Sequence, residues 1–134
     1  MFTTGVIGGS ATSQYAVDTN GGFVTLSPNV TVGTAGIATT VDSLYANNYS
    51  SAKYTITATI QGTNIREISE LLMVHNGSAA GAGTATVMSY GRVNTAGNTL
   101  VTWSATTSGN IAQLQATTTN ANTILRIKRD YMAI

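Results

Sequence analysis

The stretch Lys53-Tyr54-Thr55-Ile56-Thr57-Ala58-Thr59-Ile60-Gln61 decides the fold class. Tyr54, Ile56, Ala58 and Ile60 fall on one side of a two-residue period, and Lys53, Thr55, Thr57, Thr59 and Gln61 fall on the other. Successive side chains of a strand point to opposite faces, so this is a strand with one buried face and one polar face. Working outward, the same alternation returns at residues 111–116, where Ala112, Leu114 and Ala116 oppose Gln113 and Gln115. It returns again at 123–131, where Leu125, Ile127, Arg129 and Tyr131 oppose Ile124, Arg126, Lys128 and Asp130. Residues 84–91 set Ala85, Val87 and Ser89 against Thr86, Met88 and Tyr90, and residues 100–104 carry Trp103. Residues 68–75 are evenly apolar, which predicts a strand buried on both faces. Residues 22–26 and 37–44 are shorter candidates. Residues 64–74 offer the best helical reading, with Asn64 as a cap and Glu67 at the capping-box position. They also read as the start of a strand.

Gly, Asn and Ser separate these runs, and they tolerate the positive φ of tight turns. Short strands at regular spacing predict an all-β fold. The architecture expected is an antiparallel, jelly-roll-like β-sandwich of about eight strands over residues 37–134. Tyr54, Ile56, Ile60, Leu72, Val74, Val87, Trp103, Leu114, Leu125 and Ile127 are its expected core. Residues 1–36 are Gly-, Ala-, Thr- and Ser-rich, without a clear period, and carry one charge, Asp18. They read as an extended N-terminal arm that orders on a neighbour, with a strand near Phe23. The alternative is a flexible, partly ordered terminus. Phe2, Tyr15 and Phe23 are the candidate contacts of such an arm with another copy or a capsid.

The chain has 134 residues, enough for one domain. Only 8% are charged, against roughly 25% in an average soluble domain, and Thr, Ser, Asn and Gly supply the polarity instead. Low charge argues against charge-driven disorder. A net charge of +1 argues against capture of nucleic acid. No apolar run reaches the roughly 18 residues of a membrane helix, and residues 2–4 do not begin a secretory signal. With no cysteine there is no disulfide scaffold and no thiolate metal site.

Catalytic groups are sparse. His75 is the lone histidine. It closes an apolar strand before Asn76-Gly77, and reads as a strand-end residue bonding to backbone. Glu67 and Glu70 lie three apart, so on a regular strand they point to opposite faces and read as charge pairs at a sheet or subunit boundary. Asp18, Asp42 and Asp130 complete the carboxylates. No spacing matches a metal site, no cofactor is expected, and the protein is expected not to be an enzyme. The run Gly77-Ser78-Ala79-Ala80-Gly81-Ala82-Gly83 lacks the lysine of a phosphate loop and reads as a long flexible hairpin tip. Arg126, Lys128 and Arg129 are the one basic cluster, with Arg126 and Lys128 on a shared face.

The run Glu70-Leu71-Leu72-Met73-Val74-His75-Asn76-Gly77 is followed by Ser89-Tyr90-Gly91, by Ser108-Gly109-Asn110-Ile111, and by an ending from Ala121-Asn122-Thr123 to Arg129. In this order the four resemble a β-rich module of virion structural proteins of tailed bacteriophages, notably those of cyanobacterial phages. The resemblance covers residues 51–134. It implies a virion component, made in the host cytoplasm, that binds the major capsid protein or another virion protein. The preferred expectation is a capsid decoration (cement) protein acting as a homo-oligomer, a trimer by the same resemblance. The alternatives are a neck, tail-fibre or baseplate protein and, from another class, a carbohydrate-binding sandwich with Trp103 or Tyr90 as a stacking platform.

Overall fold

A computed structural model describes the backbone of residues 2–6, 14–18, 23–26, 29–78 and 80–134, and the side chains of residues 29–78 and 80–134. The described residues form eleven strands and no helix. In order these are β1 (Phe2–Val6), β2 (Gln14–Asp18), β3 (Phe23–Leu26), β4 (Asn29–Val32), β5 (Thr39–Tyr45), β6 (Tyr49–Ile60), β7 (Arg66–His75), β8 (Ala85–Asn94), β9 (Val101–Ser108), β10 (Ile111–Thr118) and β11 (Thr123–Ala133). The larger sheet runs β1-β2-β3-β11-β6-β7-β8, with β4 also on β11, and the smaller runs β5-β10-β9. Every pairing is antiparallel. This is the all-β sandwich expected from the alternation. The helical reading of residues 64–74 gives way to β7, whose backbone is paired on both sides, to β6 and to β8.

The core lies between the sheets. Tyr54, Ile56, Leu114, Leu125 and Ile127 are buried as expected. Ile60, Val87 and Trp103 are half-buried and pack against that core. β7 corrects the remaining expectation. Leu71 and Met73 are buried, whereas Leu72 and Val74 are 51% and 54% exposed. Register explains it. Tyr54 pairs with Leu71 and Ala52 with Met73, so the inward row of β6 carries the inward row of β7 with it. The smaller sheet covers only that side, and β7 is buried on one face instead of two.

Two buried carboxylates tie the sheets together. Asp42 on β5 accepts from the hydroxyls of Tyr54 (2.7 Å) and Tyr131 (2.6 Å) through Oδ2, and its Oδ1 pairs with Arg129. One residue of the smaller sheet thus grips β6 and β11 of the larger. Burial holds the Arg129 guanidinium below its ordinary value, raises the Tyr54 phenol well above its own, and pushes Tyr131 up to about 12. At the opposite side Glu67 on β7 is 1% exposed. It accepts from the amides of Leu100 and Val101, both at 3.1 Å, and from Asn94 Nδ2 at 3.0 Å. Arg92 lies 3.6 Å from the same carboxylate. Glu67 therefore fixes the point where the chain leaves β8 for β9 and crosses between sheets.

β3 pairs with residues 129–132 of β11, and β4 with residues 123–126. β4 continues β3 along β11 without a change of register. Val32 of β4 is a core residue, although it falls in the stretch read as an arm. β1 and β2 extend the larger sheet beyond β3.

Asp42→Ala should lower the unfolding free energy in urea by about 3–5 kcal/mol, because it leaves the Arg129 charge buried without its partner. Leu71→Ala should cost about 2–5 kcal/mol, and Leu72→Ala well under half as much. Equal losses at the two leucines would contradict the observed phase of β7. Alkali should also weaken the fold. Tyr131 holds its proton more tightly folded than unfolded, so its contribution is complete below pH 10. It is lost as pH rises from 10 through about 12, by roughly 2–3 kcal/mol in total, with Tyr54 acting in the same direction. Denaturant midpoints taken from pH 8 to pH 12 would measure this, and Tyr131→Phe should flatten the decline.

Candidate functional site

Among the described residues the chemistry-bearing side chains do not converge. Asp42 and Glu67 are consumed by the contacts between sheets. Among the described residues no three of His, Asp and Glu come together as metal ligands would. His75 is buried at the end of β7. Its Nδ1 accepts from the Gly77 amide at 3.0 Å, so its Nε2 carries the proton and donates to the Tyr49 carbonyl at 2.6 Å. It is a strand-end residue bonded to backbone on both ring nitrogens.

Both ends of the glycine-rich loop after His75 are tied down by hydrogen bonds. Asn76 Oδ1 accepts from the Thr84 amide at 2.7 Å, closing the loop at its base. The buried Ala82 donates its amide to the Gly109 carbonyl at 2.8 Å, and Thr107 donates to the Gly83 carbonyl at 3.0 Å. Gly77 lies so close to Ala82 that a Cβ would stand 2.2 Å from the Ala82 carbonyl carbon. Gly83 has φ +65° against Asn76. His-Asn-Gly is thus a structural unit that pins β7, the loop and the β9–β10 turn together.

What the structure does present is a surface. On the outer face of the larger sheet, register pairs Leu72 with Met88 and Ile68 with Val93 across β7 and β8. Val74 and Tyr90 extend this row, and Met88 and Val93 are 66% and 71% exposed. Beside it, Leu72, Val74, Met88 and Met132 line a groove of about 420 Å³ with Lys53 at its side. The other half of the face is unlike it. β6 contributes Ser51, Lys53, Thr55, Thr57 and Thr59, and β11 contributes Arg126, Lys128 and Asp130. A hydrogen bond to Glu70 pushes the Tyr90 phenol above its ordinary value. Trp103 packs against the core, while Tyr90 is half exposed. This apolar stripe gathers most of the large apolar side chains that are exposed among the described residues. The alternation-based reading placed Leu72 and Val74 inside, and so missed the patch they help to form.

A phage tailspike has a similar fold. The tailspike protein of Acinetobacter phage vB_ApiP_P1 matches over 88% of this chain with a TM-score of 0.50 and 14% identity. The tailspike gp49 of Acinetobacter baumannii bacteriophage Fri1, described as a capsular polysaccharide depolymerase, matches over 92% with a TM-score of 0.48 and 17% identity. The chain spans 23% and 20% of the lengths of these two proteins. No protein-family model and no curated protein matches it. The expectation of a non-enzymatic protein is withdrawn beside the second of these proteins, which is described as a capsular polysaccharide depolymerase; that description is of the whole tailspike, of which this chain spans 20%.

The expected interface residues fall in the N-terminal strands. Phe2 opens β1, Tyr15 lies in β2 and Phe23 opens β3. Their side chains lie outside the described residues.

His75→Ala should remove both ring hydrogen bonds and lower stability by about 1–3 kcal/mol. Amide exchange at Gly77 should accelerate with it. Nitrogen-15 NMR of the native protein should show the Nε2–H tautomer at neutral pH. A predominant Nδ1–H form would contradict the assignment.

Proposed function

We propose that this protein is a structural component of a tailed-phage virion, placed in the tail as a fibre- or tailspike-type module. The observation that carries this reading is the fold shared with a phage tailspike over 88% of the chain. Two features support it. The 8% charge content leaves a sheet surface of Thr, Ser and Asn whose solubility does not depend on ion pairs, which salt screens. The apolar half of the outer face offers a surface of the kind that subunit contacts bury. The protein works as a homo-oligomer, a trimer, in contact with other virion proteins. The N-terminal stretch supplies the contact with neighbours, apart from β4, whose Val32 belongs to the core of the sandwich.

The tail reading takes the place of capsid decoration because the fold likeness is to a tail protein. Immunogold electron microscopy of purified virions with antibody to this chain separates the two. Label on the tail, with far fewer copies per particle than the major capsid protein, is the expected result. Label over the shell with copies comparable to the capsid protein would restore the decoration reading. Absence from purified particles would overturn both.

A further inference from the structure

We propose that Asn76 is a site of self-modification. The Gly77 main-chain nitrogen attacks the Asn76 side-chain carbonyl with His75 as the base, and position 76 becomes aspartate or isoaspartate. The proposal goes beyond the virion reading and does not depend on it.

Main-chain groups, and not a cluster of side chains, complete this site around His75 and Asn76. A bond from an asparagine Cγ to the next main-chain nitrogen closes a five-membered ring, and glycine at the second position puts no side chain in its way. The reaction is slow without a base for the nitrogen and a donor for the oxygen. Both are present. His75 Nδ1 accepts from the Gly77 amide at 3.0 Å, within the reach of a general base. Nε2 donates to the Tyr49 carbonyl at 2.6 Å. That bond fixes the ring, leaves Nδ1 free of a proton and stabilises the imidazolium that forms when Nδ1 takes one. On the electrophile, Asn76 Oδ1 accepts from the Thr84 amide at 2.7 Å, a main-chain donor aimed where negative charge develops. The Asn76 amide donates to the Thr84 carbonyl at 3.2 Å. A Cβ on Gly83 would stand 2.2 Å from Oδ1, so glycine there is what lets the side chain settle against its donor. His75 is buried while Asn76 is exposed, so the base is shielded and the leaving group faces water.

Water is the one added reagent. The bond from Gly77 N to Asn76 Cγ forms as the Gly77 amide proton passes to His75 Nδ1, and the charge on Oδ1 is held by the Thr84 amide. The tetrahedral intermediate collapses as the Cγ–Nδ2 bond breaks. Nδ2 leaves as ammonia, taking through solvent the proton that His75 received, and a succinimide remains. Water adds to either carbonyl of that ring. Addition at Cγ restores the main chain and leaves aspartate, whose oxygen still serves the Thr84 amide. Addition at the main-chain carbonyl leaves isoaspartate. The net change is water in and ammonia out. Isoaspartate lengthens the main chain by one methylene beside Gly77, which lies against Ala82 with no room for a Cβ. That form should release the bond of the Ala82 amide to the Gly109 carbonyl, and with it the tie between the loop and the β9–β10 turn.

The full chain is incubated at neutral pH, once native and once unfolded in urea, and sampled over time. Peptide mass spectrometry, with fragment spectra that place the mass gain at residue 76, follows the conversion, and chromatography separates the aspartate and isoaspartate peptides. Conversion at Asn76 should be at least about tenfold faster in the native protein than in the unfolded chain, the lower part of what a positioned base supplies. His75→Asn keeps an acceptor for the Gly77 amide but removes the base, and should bring the native rate down to the unfolded one. A native protein that keeps Asn76 as long as the unfolded chain does, or longer, overturns the proposal: the same hydrogen bonds would then hold the carbonyl away from the nitrogen. A folded His75→Asn variant that converts as fast as the native protein overturns the role of His75. If that variant does not fold, the comparison of native with unfolded protein decides by itself. None of these outcomes alters the virion assignment, which is decided by the label on purified particles.

Discussion

The contact on which the sandwich depends is the buried carboxylate of Asp42, held by two tyrosine hydroxyls and one guanidinium. Taking a carboxylate and an arginine out of water costs several kcal/mol for each ion, and attraction offsets it only when hydrogen bonds complete the shell. Tyr54 and Tyr131 provide those bonds from β6 and β11. The geometry also restricts how the sheets can slide. A shift of one residue along β5 would turn Asp42 outward and leave Arg129 and both hydroxyls facing Val41 or Ser43. Glu67 imposes the same restriction at the other side by receiving the amides of Leu100 and Val101. Two of the chain's five carboxylates thus work inside the fold, in a protein with few charges to spend on its surface.

The same carboxylates explain where the sequence was legible and where it was not. β6, β10 and β11 each have one apolar and one polar row, so their phase could be read directly, and the structure keeps it. β7 has two possible inward rows. One is Ile68, Leu72 and Val74 around Glu70. The other is Leu71 and Met73 with Glu67, Ser69 and His75. Hydropathy favours the first. The fold takes the second, because Glu67 and His75 have partners waiting inside: amides at the β8–β9 crossing and the Tyr49 carbonyl. Those partners come from distant parts of the chain, and no local pattern announces them. The resulting displacement of Leu72 and Val74 to the surface made the candidate site invisible from sequence.

The N-terminal region was obscure for a different reason. β3 and β4 are four residues each, too short for alternation to stand out. Between them the sequence contains Pro28, which has no N–H to give a ladder. Yet both strands meet β11 in one register, with Leu26 opposite Arg129 and Asn29 opposite Arg126. The long, strongly patterned β11 acts as a template for strands that carry little pattern of their own. Its other edge is taken by β6 along nearly its whole length, from Thr123 against Ile60 to Ala133 against Tyr49.

One inserted residue joins the interior and the surface. Along β7 and β8 the pairing of Leu71 with Ser89 is followed by Glu70 with Gly91, so Tyr90 is an extra residue and the ladder bulges there. A bulge reverses which side the following residues face. Before it, Met88 stands outward against Leu72. Beyond it, Arg92 and Asn94 stand inward against Ser69 and Glu67, and Val93 stands outward against Ile68. Without the extra residue Val93 would meet the Glu67 carboxylate, and Arg92 would interrupt the outer stripe opposite Ile68. The bulge therefore supplies Glu67 with its Asn94 and Arg92 partners and keeps the apolar stripe continuous. Gly91 follows the extra residue, and a Cβ there would stand in ordinary contact with the Glu70 Cβ, at 3.8 Å. The Tyr90-Gly91 pair is thus a geometric device. The Glu67 contacts between the sheets and the continuous apolar stripe outside are two consequences of the same local irregularity.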